Sequence, residues 1–248
     1  MTKWVIGTVK QIKYYTNSLF SLIINAPINT FIAGQFAKLG LLINGKKVHR
    51  AYSYVNEPIN SDLEFYFVVI SKGKFSSIIY TLKSGDNIMI SKKSYGFFIL
   101  NKIPSCDYLW MISTGTGIGP YLSILKNGKN LKRFKKIILI NSVRYIKDIS
   151  YISQIRNLQK FYNKKLIVQI LISKEKKYGF LTGRIPDLIY NGLLELSVGF
   201  RINFKNTHIM LCGNPYMIYD TCNLLKKFKG MDKNSSFKHG SITVEQYW

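Results

Sequence analysis

Apolar and polar positions alternate with a period of two through most of the first hundred residues, a pattern that predicts strands. The alternation begins within the first few residues, at Trp4 and Val5. Residues 18–24 form an apolar stretch before Pro27, and 35–41 run into Asn44-Gly45, a pair suited to a tight hairpin. Residues 51–55 precede Pro58, 63–70 alternate strongly before Lys72-Gly73, and 86–90 resume strand character. Short strands at this spacing predict an antiparallel β-barrel. One short helix is expected over 76–82, where Ile78, Ile79 and Leu82 share a face.

The pattern changes near Asn101-Lys102-Ile103-Pro104-Ser105, which is read as a domain boundary dividing the chain into 1–100 and 101–248. Beyond it, apolar strand candidates (108–113, 136–142, 165–172, 207–211) alternate with helix candidates (120–126, 147–162, 185–191, 215–228). In 147–162 the residues Ile149, Ile152, Ile155, Leu158 and Phe161 fall near a 3.6 period. A last strand is expected over 242–247. Such alternation predicts a Rossmann-like α/β domain with a parallel sheet and right-handed crossovers.

Composition adds little to the fold but narrows the class. The 248 residues are 47% hydrophobic and 19% charged, as in a globular chain. No run of 18 apolar residues and no signal-peptide pattern is seen, so a protein away from membranes is expected. Three scattered cysteines (Cys106, Cys212, Cys222) suit neither a disulfide framework nor a metal cluster, and a reducing cytoplasm is expected. His49, His208 and His239 have no metal-like grouping.

The net charge of +24 raises a nucleic-acid reading. Residues 1–100 carry 12 basic and 4 acidic side chains, and the remainder 24 and 8, so the excess forms no tail or stripe. Lys (30), Ile (34) and Asn (19) all have AT-rich codons, and base bias accounts for much of this composition. The field would still draw acidic partners.

Three short words carry the chemistry. Ser113-Thr114-Gly115-Thr116-Gly117-Ile118-Gly119-Pro120 follows an apolar strand and opens a helix, whose free N–H groups suit a pyrophosphate. Its spacing is Gly-x-Gly-x-Gly, and no acidic residue clearly takes the ribose-binding role. On the turn alone, an anion site and a ligand-free connection both stay open. Arg50-Ala51-Tyr52-Ser53 in a barrel strand sends Arg50 and Tyr52 to one face, where a guanidinium can clamp phosphate and a phenol can stack on a heterocycle. Ser53 points the other way. The third word, Cys212-Gly213-Asn214-Pro215, ends a strand.

In this order, the words resemble a ferredoxin/flavodoxin–NADP reductase of the single-chain bacterial type, over essentially the whole chain. The resemblance implies an FAD-binding barrel, an NADP-binding domain and an aromatic tail returning to the flavin. It assigns FAD to Arg50, Ala51, Tyr52 and Ser53, with Ser53 near flavin N5, and to Tyr66, Phe67, Val68 and Val69. It also assigns FAD to Lys74, Phe75 and Ser76 at a helix start, and to Thr116, Tyr247 and Trp248. NADP falls to Thr114, Gly115, Gly117, Ser173, Gly213 and Asn214, with Arg144, Lys174 and Arg184 around the 2′-phosphate. The family often has Arg where Lys174 stands, so a point charge replaces a bidentate fork. Ser53, Cys212 and Glu245 are the implied catalytic residues, and Glu245 would supply a proton or position nicotinamide. No metal is expected.

The implied activity is hydride transfer from NADPH to FAD, then single-electron transfer to flavodoxin or ferredoxin, by a cytoplasmic monomer that binds neither nucleic acid nor membrane. Two alternatives stay open. One is a reductase of the same fold acting on free flavin, ferric complexes or a haem protein. The other is a basic nucleic-acid-binding protein, against which the absence of an aromatic-basic or helix-turn-helix signature argues.

Overall fold

A computed structural model describes residues 2–70, 73–234 and 240–247. By their contacts the residues form two compact units, Met1–Ile99 with Gly119–Gly128, and Leu100–Ile118 with Lys129–Trp248.

In the first unit, strands β1 (Trp4–Tyr14), β2 (Leu19–Asn25), β3 (Phe36–Ile43), β4 (Lys46–Ser53) and β5 (Asp62–Val68) precede helix α1 (Lys74–Thr81) and strand β6 (Asn87–Ser91). They form an antiparallel sheet in the order β4-β3-β6-β1-β2-β5. Its two edge strands meet through a bridge between Tyr54 and Phe65, and the Val55 N–H donates to the Glu64 carbonyl at 2.9 Å, which closes the barrel. The hairpin is built as its residues predict, with Asn44 and Gly45 both left-handed at φ 51° and 72°. That turn pairs Ile43 with Lys46, so β4 starts several residues before the expected 51. Phe20, Leu22, Ile24, Leu39, Phe65, Phe67, Ile79 and Ile88 fill the interior.

Helix α2 (Gly119–Asn127) belongs to this unit by its contacts, although the boundary read near residue 101 places it in the second domain. The physical reason is polar as well as apolar. Ser123 Oγ donates to the Asn56 carbonyl at 2.6 Å, Lys126 Nζ lies 3.7 Å from Glu64 Oε2, and the Tyr121 ring meets Phe98 at 5.6 Å.

In the second unit, strands β7 (Tyr108–Thr114), β8 (Lys136–Val143), β9 (Leu166–Ile172), β10 (Leu181–Thr182), β11 (Thr207–Gly213) and β12 (Ile242–Gln246) make a parallel sheet. Its order is β10-β9-β8-β7-β11-β12. Continuous burial from Leu109 to Ile112, Ile137 to Ile140 and Ile209 to Cys212 is what a sheet covered on both faces requires. Helices α3 (Ile152–Tyr162), α4 (Ile185–Tyr190), α5 (Leu193–Val198) and α6 (Pro215–Lys229) complete the unit.

Two local expectations change. The helix expected over 147–162 begins at Ile152, because Asp148 accepts the Tyr145 N–H at 3.2 Å in a separate turn and buried Tyr151 sits at φ 61°. Helix α5 was not signalled by the sequence pattern; it lies between Gly192 and Gly199, left-handed at φ 75° and 74°. No helix of the described residues is long and apolar enough to cross a membrane.

Candidate active site

The flavin word lies on β4, where alternation gives its residues unequal roles. Arg50 is exposed, and its Nη1 donates to the His49 carbonyl at 2.8 Å. Tyr52 is half-buried, its ring 4.2 Å from that of Phe67 and 6.1 Å from that of Phe75, so β4, β5 and α1 meet at this phenol. Burial pushes the Tyr52 hydroxyl up to about 12, against the pull of the Arg50 guanidinium. Ala51 is exposed and Ser53 is buried, although alternation puts both on the face opposite Arg50 and Tyr52; Ser53 is the last residue of β4.

On β5, Tyr66 meets the Tyr15 ring edge-on at 5.6 Å, while Phe67 turns inward and stacks on Phe20 at 4.9 Å. Val68 and Val69 are half-buried, and the Val69 N–H donates to the Ser18 carbonyl at 2.7 Å. At α1, Lys74 is exposed and Phe75 is buried. Ser76 Oγ accepts the Ile70 N–H at 3.1 Å and donates to the Gly73 carbonyl at 3.3 Å. Gly73 caps α1 without a side chain, and among the described residues no side chain caps the first N–H groups of the helix.

In the second unit, the glycines of the turn after β7 differ in purpose. Gly115 is left-handed at φ 52°, with open space where a Cβ would stand. A Cβ on Gly117 would lie 2.7 Å from the Cys212 carbonyl oxygen, so this glycine lets the turn pack against the end of β11. Thr116 is buried there. Thr114 Oγ1 accepts the Asn214 N–H at 2.9 Å, and Gly213 at φ 121° leaves no room for a side chain beside Thr114.

The Cys-Gly-Asn-Pro word is thus a strand-to-helix junction. Asn214 caps α6 by accepting the N–H groups of Tyr216 and Met217 at 2.9 and 3.2 Å, and Pro215 opens the helix. Cys212 is fully buried and pairs with Ser113 on one side and Glu245 on the other. Burial and the Glu245 carboxylate hold its thiol well above the ordinary range, against a hydrogen bond from Tyr247. The Tyr247 N–H donates to the Gly213 carbonyl at 3.0 Å. Trp248 and His239 lie outside the described residues. Among the described residues no His, Cys, Asp and Glu group could hold a metal.

The cations expected around a 2′-phosphate come from neighbouring strand ends. The Ser173 N–H donates to the Val143 carbonyl at 2.9 Å, its Oγ to the same carbonyl at 3.2 Å, and the Lys174 N–H donates to the Arg144 carbonyl at 3.0 Å. This pairing sets Arg144 beside Lys174 at the carboxyl ends of β8 and β9. Arg184 follows β10, where the Gly183 N–H donates to the Ile172 carbonyl at 3.2 Å. All three cations are exposed. The residue that sequence reasoning missed is Asp220, whose Oδ2 lies 3.7 Å from Arg184 Nη2. Only the neighbouring placement of α4 and α6 reveals it.

The donor set fits both groups. An exposed guanidinium, an oriented phenol and uncapped helix N–H groups suit a flavin nucleotide, and an open glycine turn with three cations suits a phosphorylated nicotinamide nucleotide.

Comparisons with known proteins agree. The description "Oxidoreductase FAD-binding domain" matches residues 10–97, and "Oxidoreductase NAD-binding domain" matches residues 111–223. The flavodoxin/ferredoxin–NADP reductase of Buchnera aphidicola subsp. Schizaphis graminum is 49% identical over 257 aligned positions, covering 100% of both chains. That of Escherichia coli K12 is 48% identical over 248, again covering 100% of both. A ferredoxin NADP+ reductase from Neisseria gonorrhoeae, solved with bound FAD and NADP, superposes with a TM-score of 0.93 at 29% identity over 99% of each chain. The chain belongs to the flavodoxin/ferredoxin–NADP reductase family, oxidoreductases built from an FAD-binding and an NADP-binding domain.

Proposed function

We propose that the protein takes electrons from NADPH through bound FAD and delivers them to flavodoxin or ferredoxin. The observation that carries the NADPH half is the grouping of Arg144, Lys174 and Arg184 at adjacent strand ends, joined through the Lys174 N–H bond to the Arg144 carbonyl at 3.0 Å. NADPH differs from NADH by a 2′-phosphate, and a dianion is held best by such charge-assisted donors.

Bound FAD supplies the exchange between two-electron and one-electron chemistry. The chain's part is to bind and orient. Arg50 holds pyrophosphate, Tyr52 stacks on the flavin with its ring already steadied by Phe67 and Phe75, and Ser53 lies near the ring edge. Because Phe67 is in the core, the segment 66–69 serves FAD with backbone and with Tyr66. Lys74, Phe75 and Ser76 contribute the N–H groups that begin α1. Thr114, Gly115, Thr116 and Gly117 cradle the nicotinamide nucleotide's pyrophosphate. Gly213 and Asn214 shape its nicotinamide pocket.

Cys212 is kept as a neutral thiol, and a thiol that stays protonated is a poor nucleophile, so its role in that pocket is one of shape. Glu245 is the carboxylate available for a proton or for orientation, and Tyr247 is the aromatic residue assigned to the flavin. A cytoplasmic monomer with no nucleic-acid partner completes the proposal; its three cysteines are all free.

The test combines a flavin spectrum with nucleotide kinetics. Arg144→Ala and Arg184→Ala should each raise the KM for NADPH roughly 10-fold, the loss of a hydrogen bond to a charged group. The KM for NADH should move less than about twofold, since an exposed charge elsewhere is worth little. A colourless purified protein, or equal losses with both nucleotides, would refute the reading.

A further inference from the structure

Of the three cations at the strand ends, Arg184 forms an ion pair, with Asp220, and among the described residues Arg144 and Lys174 form none within 4 Å. Arg184 occupies the position before α4, with an extended backbone (φ −86°, ψ 145°). Its partner Asp220 comes from α6, which runs alongside α4: further on, the rings of Tyr190 and Phe228 meet at 5.4 Å. Asp220 lies off the buried side of α6, which is made by Met217, Ile218, Thr221, Cys222 and Leu225.

The side chains of Arg184 and Asp220 are 64% and 43% exposed, so the pair is solvated and separates at low cost. A guanidinium offers carboxylate and phosphate the same fork of donors. At 3.7 Å the Asp220 carboxylate pairs with the guanidinium through charge, without a hydrogen bond, so it offsets the positive charge a phosphate dianion would meet and adds negative charge where that dianion would arrive.

We infer that Asp220 limits the selection of NADPH by competing with the 2′-phosphate for Arg184. This rests on the reading of Arg184 as a phosphate ligand. Asp220 is then a specificity-determining residue that acts through Arg184. With Lys174 supplying a point charge and no fork, a larger share of phosphate recognition falls on Arg184 and the competition gains weight.

Calorimetric titration of the purified flavoprotein with 2′,5′-ADP and with 5′-AMP tests this without turnover. Asp220→Asn should tighten 2′,5′-ADP about 1.5- to 5-fold, the affinity equivalent of an exposed ion pair, and Asp220→Ala should act alike. The affinity for 5′-AMP should stay unchanged, and the KM for NADPH should fall with kcat unaltered. In an Arg184→Ala background the effect of Asp220→Asn should vanish. If Arg184→Ala weakens 2′,5′-ADP but Asp220→Asn leaves it unchanged or weakens it too, the competition is overturned and the phosphate reading survives. Equal tightening of both ligands also overturns the competition. If Arg184→Ala itself has no effect on 2′,5′-ADP, both fall together.

Discussion

His208 sits near the start of β11, buried, with Nε2 2.8 Å from Thr243 Oγ1. Burial, aided by the Arg133 cation, pushes its imidazole down to about 4. The folded protein thus keeps this ring neutral where an unfolded chain, titrating near 6.5, takes up a proton. The stability it contributes is complete above pH 6.5 and is lost as pH falls toward 4, by about 3 kcal/mol. Replacing His208 with Gln should flatten the pH dependence of urea unfolding in that window; an unchanged slope would contradict the assignment. The same scale explains why single residues mislead a sequence reader. Gly117 has the look of a phosphate-loop glycine, yet the Cys212 carbonyl already demands that it have no side chain. Asn214 reads as a pocket residue, yet its amide oxygen is engaged in capping α6. Such words are informative through their order along the chain, because each alone has a local structural reason to exist.

At the scale of elements, the units legible from sequence are those with a local cause. Asn44-Gly45 dictates a hairpin, alternation dictates strands, and Pro215 opens a helix, and all three are in place. What could not be read is where α2 docks, since its ties span long separations: Ser123 and Asn56 are 67 residues apart. The second tie is the pair of Lys126 and Glu64, whose side chains are 19% and 9% exposed. Burial pulls the Lys126 ammonium down despite Glu64 beside it, so the desolvation cost outweighs the attraction. Removing one partner leaves a buried charge alone, which is worse than removing both. Lys126→Met should therefore destabilise the protein by about 3 kcal/mol in urea unfolding, and Lys126→Met with Glu64→Gln should recover at least half. Additive losses in the double variant would mean that the two side chains act independently and that α2 is held by Ser123 and its apolar face.

At the scale of the molecule, the open question of the sequence is whether a net charge of +24 does anything. Two causes predict different behaviour. If the excess of lysine merely follows base composition, the field is incidental and the acceptor need not sense it. If the charge serves an acidic electron carrier, the field should speed encounter and be screened by salt, whose Debye length shrinks from about 10 Å at 0.1 M to about 3 Å at 1 M. The excess of cations is spread along both parts of the chain, 12 and 24 against 4 and 8 acids, and an excess spread as evenly over the surface makes a broad field with no single docking point. Single lysine replacements should then change carrier reduction only slightly, while ionic strength changes it strongly. With NADPH saturating, so that its own charge drops out, kcat/KM for flavodoxin should fall about tenfold between low and high salt. Reduction of a neutral quinone by the same enzyme should change less than about twofold, because steering needs a charged partner. A flat salt profile for the carrier would assign the charge to composition, and a parallel fall for the quinone would place the salt effect on the enzyme itself.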